Sequence, residues 1–597
     1  LYFIDFALNS LSSIPDVFCD YPNLSHIGGA YNNLVYLPDC WRAGSSISEF
    51  IFPYNSLVEI PESLSMVGNL SMLDVRYNKL TAVPPSMFAL PHLNVLALDN
   101  NNIEIIPDSI ASWKGELLGV SYNVIRTLPL AMGSLEATLK IRLAGNQIED
   151  IPPSVFKGWK HLTYLDISEN VLTQIPTTIG DISRLEHLDL SYNLLADIPV
   201  ELTLLKNLSF IDLSYNNITT NSLYIGSFHH LQQAHLAGNC ISGLDAGTEN
   251  IPQSLRLIDV SANCFRTLPK LLGQFPNLQV LIVSNNLLRS FPEEVFSLNR
   301  TLGTLLLDAN EMMGTIPQTF GAMRALTMLS LADNSLSGSI PTNISYLCNL
   351  SMLDISWNHL SGFVEFEEFC ISNGIPASLP VLSYLDISHN QFSGHVYHKQ
   401  VFPLNLVELR LEFNAFRGPF PSDLLSQMPV LSSAKLEGNA FQGDMAGFDP
   451  SSKLNYLDVR YNNQLKNNTE ACLEATTRYP TWSTEQLEAM LKGSICLPKY
   501  LHYGSKENAA TGTTSEYSCP GISMSVASPV SHNIPLLIIG SAYIDPSYYH
   551  HVACTCNAGF YGIPPKCAPC SPGSYSSMGG RTVCNLCAPG TFQSSVQ

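Results

Sequence analysis

Asparagine returns along this chain at a nearly constant interval. Asn9, Asn32, Asn55, Asn78, Asn101, Asn123, Asn146, Asn170, Asn193 and Asn216 are followed by Asn239, Asn263, Asn286, Asn310, Asn334, Asn358, Asn390, Asn414, Asn439 and Asn462, and every step but one is 22 to 25 residues. A period of this size marks stacked units, none of which can bury its apolar face alone. Around each asparagine runs the frame L-x-x-L-x-L-x-x-N-x-L, as in Leu185, Leu188, Leu190, Asn193 and Leu195. The alternation Leu188-x-Leu190 predicts a short strand with one face inward, and repetition stacks such strands into a parallel sheet at ~4.8 Å per strand. An asparagine at a turn buried between two coils can satisfy backbone groups of its own and the neighbouring coil. Most coils then carry Ile-Pro or Leu-Pro, as at Ile60-Pro61, Leu128-Pro129 and Ile175-Pro176. Proline fixes φ and removes a donor, so the chain turns there and returns in a short helical or 3₁₀ segment.

The frame resembles the leucine-rich repeat. That resemblance implies an α/β solenoid, a horseshoe of about 20 coils with a parallel concave β-sheet over residues 1–465, followed by a small disulfide-rich tail. The later coils, such as Leu336-Ser337-Gly338-Ser339-Ile340-Pro341 and Phe392-Ser393-Gly394, are similar to the L-x-G-x-I-P repeat of plant receptor ectodomains and protist surface proteins. The earlier 23-residue coils look more like the short repeats of intracellular Ras-pathway scaffolds and their plant or algal relatives. Leu1 already occupies the first position of a repeat, so an N-terminal cap is expected to be missing. Between Asn358 and Asn390 the step is 32 residues, and the stretch Glu365-Phe366-Glu367-Glu368-Phe369-Cys370 is expected to loop out at one rim. Thr220-Asn221 and Leu244-Asp245 lack the proline of their neighbours, which leaves the local curvature open.

Because the leucines point inward, a ligand must read the residues between them, one, four and six before each asparagine. Aspartate recurs four before, at Asp5, Asp74, Asp166, Asp189, Asp212, Asp259, Asp354, Asp386 and Asp458. An aromatic recurs immediately before, at Tyr31, Tyr54, Tyr77, Tyr122, Tyr192, Tyr215, Trp357, Phe413 and Tyr461. The aspartates also fit a purely structural role, hydrogen-bonding along the strand. Tyr192, Tyr215, Trp357 and Phe413, with Asp189 and Asp212, are the expected concave recognition residues, since Tyr and Trp are the usual anchors of protein interfaces. Lys140, Arg142, Arg410, Lys435 and Arg460 are the positive exceptions on this acidic face; Lys140 and Arg142 alternate onto one side and could hold a peptide carboxylate. No catalytic constellation, cofactor motif or metal site emerges, and His229-His230 and His550-His551 are adjacent rather than at helical ligand spacing.

Charge excludes some partners. Lys plus Arg is 30 against Asp plus Glu at 50, a formal balance of −20, which repels nucleic acid and anionic membranes. With 45% hydrophobic and 13% charged residues the composition is the reverse of disorder. The most apolar tail segment, Ile534 to Ile544, is broken by Pro535 and Gly540 and is shorter than the ~18 residues of a membrane span.

Of 15 cysteines, eight fall in the first 500 residues and seven in the last 79. Cys240 and Cys264 each follow a ladder asparagine in consecutive coils, about one strand spacing apart and within disulfide reach. Cys19 with Cys40, Cys348 with Cys370, and Cys472 with Cys496 form further local pairs; the last sits in a C-terminal cap expected over residues 466–499. Such pairs fit an oxidising compartment. Sequons at Asn23, Asn69, Asn207, Asn217, Asn299, Asn343, Asn349 and Asn467 permit secretion, although N-L-S also falls out of the repeat itself.

Residues 500–553 read as a linker or small irregular domain, and 554–597 as cysteine-rich repeats. Cys554-x-Cys556-Asn-Ala-Gly-Phe-Tyr-Gly up to Cys567 is similar to the end of an EGF-like module. The duplicated Cys567-Ala-Pro-Cys570-Ser-Pro-Gly-Ser-Tyr and Cys584-Asn-Leu-Cys587-Ala-Pro-Gly-Thr-Phe resembles the cysteine-rich repeat of ephrin receptors. These resemblances imply disulfides at Cys556, Cys567, Cys570 and Cys584, and a partner for Cys587 beyond Gln597. The C-x₂-C spacing is also close to that of a zinc ribbon, but Pro-Gly-aromatic after each pair favours disulfides. The expected function is therefore non-enzymatic: an extracellular or cell-surface module binding a protein, peptide or glycan. The alternatives are a structural component of matrix, wall or surface filament that self-associates through its flanks, and an intracellular Ras-type scaffold.

Overall fold

In the computed structural model, residues 1–465 are described except 221–222, 246–250, 373, 397–401, 444–452 and 463, together with six short strands between Met524 and Leu586. Two units are separable, Leu1–Leu501 and His502–Gln597. In the second, Met524–Val526 pairs antiparallel with Cys554–Cys556, Phe560–Ile563 with Lys566–Pro569, and Ser574–Tyr575 with Asn585–Leu586. The expected cap, Cys472, Cys496, Asn467 and the pairing of Cys556, Cys567, Cys570 and Cys584 lie outside the described residues and side chains.

The first unit is a leucine-rich repeat solenoid. Its coils are numbered 1 to 20 below by their ladder asparagines, Asn9 to Asn462. Each contributes one three-residue strand to a 20-stranded parallel sheet, for example His187–Asp189 beside Phe210–Asp212. Except for the half-buried Ile4 of the first strand, the middle residue of each, such as Leu188 or Ile211, is buried in the core. Pairing is in strict register, His187 with Phe210 and Asp189 with Asp212, because a one-residue slip would turn every leucine outward.

The asparagine ladder closes each coil onto the next. Asn193 Nδ2 donates to Leu190 O and Ser191 O in its own turn, both at 3.1 Å, and to Ile167 O of the preceding coil at 3.0 Å. Its Oδ1 accepts from Leu172 N at 3.0 Å. After the strand, proline precedes a 3₁₀ segment in most coils, as Pro61 before Glu62–Met66 and Pro176 before Thr177–Asp181. Only Pro153–Gly158 and Ser422–Ser426 are α-helical among the described residues. Where proline is lacking, the freed backbone groups pair instead: Leu223–Tyr224 and Leu244–Asp245 form a two-stranded parallel sheet.

The L-x-G dialect of the later coils builds a second, seven-stranded sheet, from Met313–Gly314 to Gln464–Leu465. Gly394 and Gly418 in it have φ of +100° and +95°, a conformation costly for any residue with a Cβ.

Adjacent coils are bridged by Cys19–Cys40, Cys240–Cys264 and Cys348–Cys370, with Cα separations of 5.8, 4.8 and 5.5 Å. The long step after Asn358 departs from expectation. Phe366 is 1% exposed and belongs to the core, so it is not Glu365–Cys370 that loops out. The projecting element is an antiparallel hairpin, Cys370–Ser372 with Ile375–Ala377, anchored by the disulfide at Cys370 and showing Ile371 at 77% exposure. Burial of an apolar ring outweighs the acidic residues beside it.

Candidate functional site on the concave face

The residue before every ladder asparagine has a left-handed backbone. Tyr31, Tyr54, Tyr77, Tyr122, Tyr192, Tyr215, Trp357, His389, Phe413 and Tyr461 all have φ between 51° and 57°, and Gly145, Gly238 and Gly438 take the same place. This turn lets the next residue, the asparagine, point inward; its hydrogen bonds hold the otherwise unfavourable conformation. The aromatics are thereby carried to the rim of the sheet, where they stack along the solenoid axis. Tyr31, Tyr54 and Tyr77 lie at centroid distances of 4.3 and 4.1 Å, and Tyr192 and Tyr215 at 4.5 Å. Trp357, His389 and Phe413 form a three-ring row at 3.7 and 4.5 Å. The latter two rows stop where glycine follows, at Gly238 after Tyr215 and Gly438 after Phe413, and the first stops at Asn100. A Cβ on either glycine would meet the preceding ring at 2.6 Å.

On the strands themselves two outward rows run along the sheet. Six before the asparagine stand Lys140, Tyr164, His187, Phe210 and Gln233; four before stand Arg142, Asp166, Asp189, Asp212 and His235, all in register. Tyr164, His187 and Phe210 stack at 4.2 Å steps, and Phe210 tilts against His235 at 5.3 Å. The aromatic platform of coils 8 to 10 thus has two tracks, Tyr164–His187–Phe210 on the strands and Tyr192–Tyr215 on the rim, with the aspartates between them. The first track was legible only at a position six before each asparagine, where no single residue type recurs. Trp357 and Phe413 stand in coils 16 and 18 and do not meet Tyr192 and Tyr215.

Between the two aromatic regions, the same rows of coils 13 to 15 carry Val280, Ile282, Leu306 and Met328 together with Thr304 and Ser330, a largely apolar stretch.

The aspartates are tied to their own turns. Asp189 Oδ1 accepts from Ser191 N at 2.9 Å and Ser191 Oγ at 2.7 Å, and Asp166 and Asp354 bind Ser168 and Ser356 in the same way. Asp212 accepts from Ser214 N at 2.8 Å. Burial, then the charges of Asp166 and Asp212, pushes Asp189 up to about 7. Burial likewise raises Asp166 and lowers His187 to about 4, so the imidazole in the ring stack is neutral at physiological pH.

The expected free cations are reduced. Arg142 Nη2 reaches back two coils to Asp99 Oδ2 at 3.1 Å, and Arg410 Nε binds Glu408 at 2.6 Å while Nη1 lies 3.5 Å from Asp386. Both guanidiniums fill the acidic positions of their own face, because a half-buried cation beside unpaired carboxylates is drawn to them. Lys140 alone of the three is exposed and has no ion pair among the described residues.

Several sequons are built into the coil. Asn69, Asn207 and Asn349 donate through Nδ2 to carbonyls of the preceding coil at 2.9–3.0 Å, and the hydroxyls of Ser71, Ser209 and Ser351 do the same at 2.8–2.9 Å. Asn343 also donates to Gln318 O, at 3.3 Å, whereas Asn23 and Asn217 are exposed and Asn299 is half-buried.

Among the described residues no group of three His, Cys, Asp or Glu side chains could hold a metal ion, and no helix is long and apolar enough to cross a membrane.

A leucine rich repeat family model matches residues 68–125, 139–195 and 300–360. An 83-residue stretch is 36% identical to Receptor-like protein 31 of Arabidopsis thaliana, covering 14% of this chain and 10% of that relative. The solved structure of a plant peptide hormone receptor, RGFR1, in complex with RGF2 superposes with a TM-score of 0.56 at 26% identity, covering 79% of this chain and 84% of that one. The Arabidopsis receptor kinase HAESA, in complex with the peptide hormone IDA and the co-receptor SERK1, gives 0.52 at 26%, over 80% and 89%. The fold is shared outside plants: a leucine-rich repeat protein of Leptospira interrogans gives 0.51 at 24%, over 65% and 89%. The chain is a leucine-rich repeat solenoid, similar over most of its length to plant receptor ectodomains.

Proposed function

We propose that this solenoid is an extracellular recognition module whose concave face binds an extended polypeptide. One observation carries the reading. Two outward rows run in register from the ring stack Tyr164–His187–Phe210 through Val280, Ile282, Leu306 and Met328, and farther along the same sheet its rim carries the row Trp357–His389–Phe413. From coil 8 to coil 18 there are about ten strand steps, roughly 48 Å, enough for about 14 residues of extended chain. Tyr192 and Trp357, 54% and 50% exposed on stacked and therefore pre-ordered rings, suit the anchor role because little side-chain freedom remains to be lost on binding. Disulfides between coils favour an oxidising compartment over the cytosolic scaffold. Two similar plant receptors are seen with peptide hormones bound, which supports a peptide as the ligand class.

Selecting peptides from a random displayed library against the full chain tests this. Selected peptides should lose at least tenfold in affinity on Phe210→Ala and on Tyr192→Ala, with the fold unchanged by circular dichroism. Peptides indifferent to both changes, mapping instead to the convex or lateral faces, would refute the reading and favour an assembly role.

A further inference from the structure

Two before the ladder asparagine, coils 16 and 17 carry Ser356 and Ser388, each hydrogen-bonded to the aspartate two residues earlier. Coils 18 and 19 carry glutamates there instead. Glu412 and Glu437 are 6% and 9% exposed, yet the Oε2 of each has no hydrogen-bond partner. The two coils run in register, Leu411 N donating to Lys435 O at 2.9 Å and Phe413 N to Glu437 O at 2.8 Å. The two side chains therefore leave the same face about one strand spacing, ~4.8 Å, apart.

Among the described residues no donor completes them. Arg410 is bound to Glu408 and lies 3.5 Å from Asp386, and Arg460 is held by Asp458 at 2.9 Å. Lys435 is within electrostatic reach of both glutamates but forms no ion pair with either. An unsatisfied buried carboxyl oxygen is costly, and two in adjacent coils leave a pair of unpaired acceptors just beneath the concave surface, which a ligand reaches by displacing the side chains slightly outward. Beside them the row Trp357–His389–Phe413 ends, because Gly438 has no side chain to continue it, and Phe413 leans over that glycine. The combination is an acceptor pair with an aromatic wall. A planar guanidinium fits both parts, with N–H groups directed at two acceptors and a face that stacks on an aromatic ring; an ammonium satisfies the acceptors as a point charge.

We propose that Glu412 and Glu437 form a receiving site for a basic side chain of the bound polypeptide, a guanidinium or an ammonium. It rests on the peptide-binding reading above and names the chemistry of one end of the face. Burial raises both carboxyls, Glu412 to about 8, as expected of acids that lack a partner in the free protein.

The test uses the full chain and four probes at physiological salt: acetylated, amidated tri-arginine, tri-lysine and tri-citrulline peptides, and spermidine. Tri-arginine or tri-lysine should bind at least tenfold tighter than neutral tri-citrulline. Glu412→Gln with Glu437→Gln, which keeps shape and removes charge, should abolish that preference. Glu104→Gln, on an exposed loop, should leave it intact and so separates the site from the general acidity of the chain. Equal binding of the arginine and citrulline peptides, or an unchanged preference in the paired glutamine variant, overturns the proposal. Spermidine binding as tightly as tri-arginine, and lost with the same variant, overturns the assignment to a polypeptide. Library-selected peptides that keep full affinity for the glutamine pair while losing it on Phe210→Ala would leave the concave-face reading standing and remove only this site.

Discussion

Replacing Asp189 by asparagine probes the electrostatics of the central patch. In the folded chain, burial and then the charges of Asp166 and Asp212 raise this carboxyl from its ordinary 3.8 to about 7. An acid whose folded pKa lies above its unfolded value stabilises the fold while protonated. That contribution is whole below the unfolded pKa and is lost as pH rises through the folded one. At roughly 1.4 kcal/mol per unit, about three units amount to a loss of ~4 kcal/mol by about pH 8, of which ~2–3 kcal/mol falls between about pH 5 and pH 8. Asparagine retains an oxygen to accept from Ser191 N and Oγ, now at 2.9 and 2.7 Å, and cannot ionise. The variant should therefore be more stable than the parent at about pH 8, with a gain ~2–3 kcal/mol larger there than at about pH 5. Urea unfolding of both proteins at the two pH values, followed by circular dichroism, gives this as a difference of differences in which effects unrelated to position 189 cancel. An equal gain at both pH values, or a loss at the higher one, would show that the fold does not hold Asp189 protonated.

Asn193→Ala leaves Leu172 N and the carbonyls of Ile167, Leu190 and Ser191 without the side-chain amide, and should cost about 1–3 kcal/mol in the same unfolding assay. Gly158→Ala places a Cβ 1.5 Å from Gly133 O, where two convex segments touch backbone to backbone. Overpacking of about 1–3 kcal/mol or more should appear as a lowered melting temperature. Cys240→Ser with Cys264→Ser opens a link over a sequence separation of 24 and should cost about 3 kcal/mol, with mass spectrometry of the parent showing the corresponding cross-linked peptide.

Leucine spacing and the ladder asparagines made the coils, the strand positions and the parallel sheet readable, because period and alternation determine which residues can face inward. The neighbouring-coil cysteines were readable for the same reason: a fixed repeat turns sequence separation into distance. Positions outside the consensus were harder. Tyr164, His187 and Phe210 are three unlike residues in three coils, and nothing but stacking makes them one surface. Arg142 looked available for a ligand until the solenoid brought Asp99, two coils away, beneath its guanidinium. The acidic stretch before Cys370 looked like a loop, yet Phe366 within it is core, and the projection begins only after the disulfide.

What the sequence determined by itself was everything set by a residue's place within one coil: inward leucine, buried asparagine, turning proline, outward aspartate and aromatic. What the tertiary structure decided was everything that depends on the coil next door. The left-handed turn before each asparagine swings Tyr192, Trp357 and Phe413 to the rim, and stacking at about one strand spacing lines them up. Burial and then the like charges one coil away raise Asp189, and the same spacing leaves Glu412 and Glu437 side by side with an oxygen of each unpaired. Identical local patterns thus acquire different electrostatics, because charge and ring interactions act over distances of a few ångströms between coils that are more than twenty residues apart along the chain.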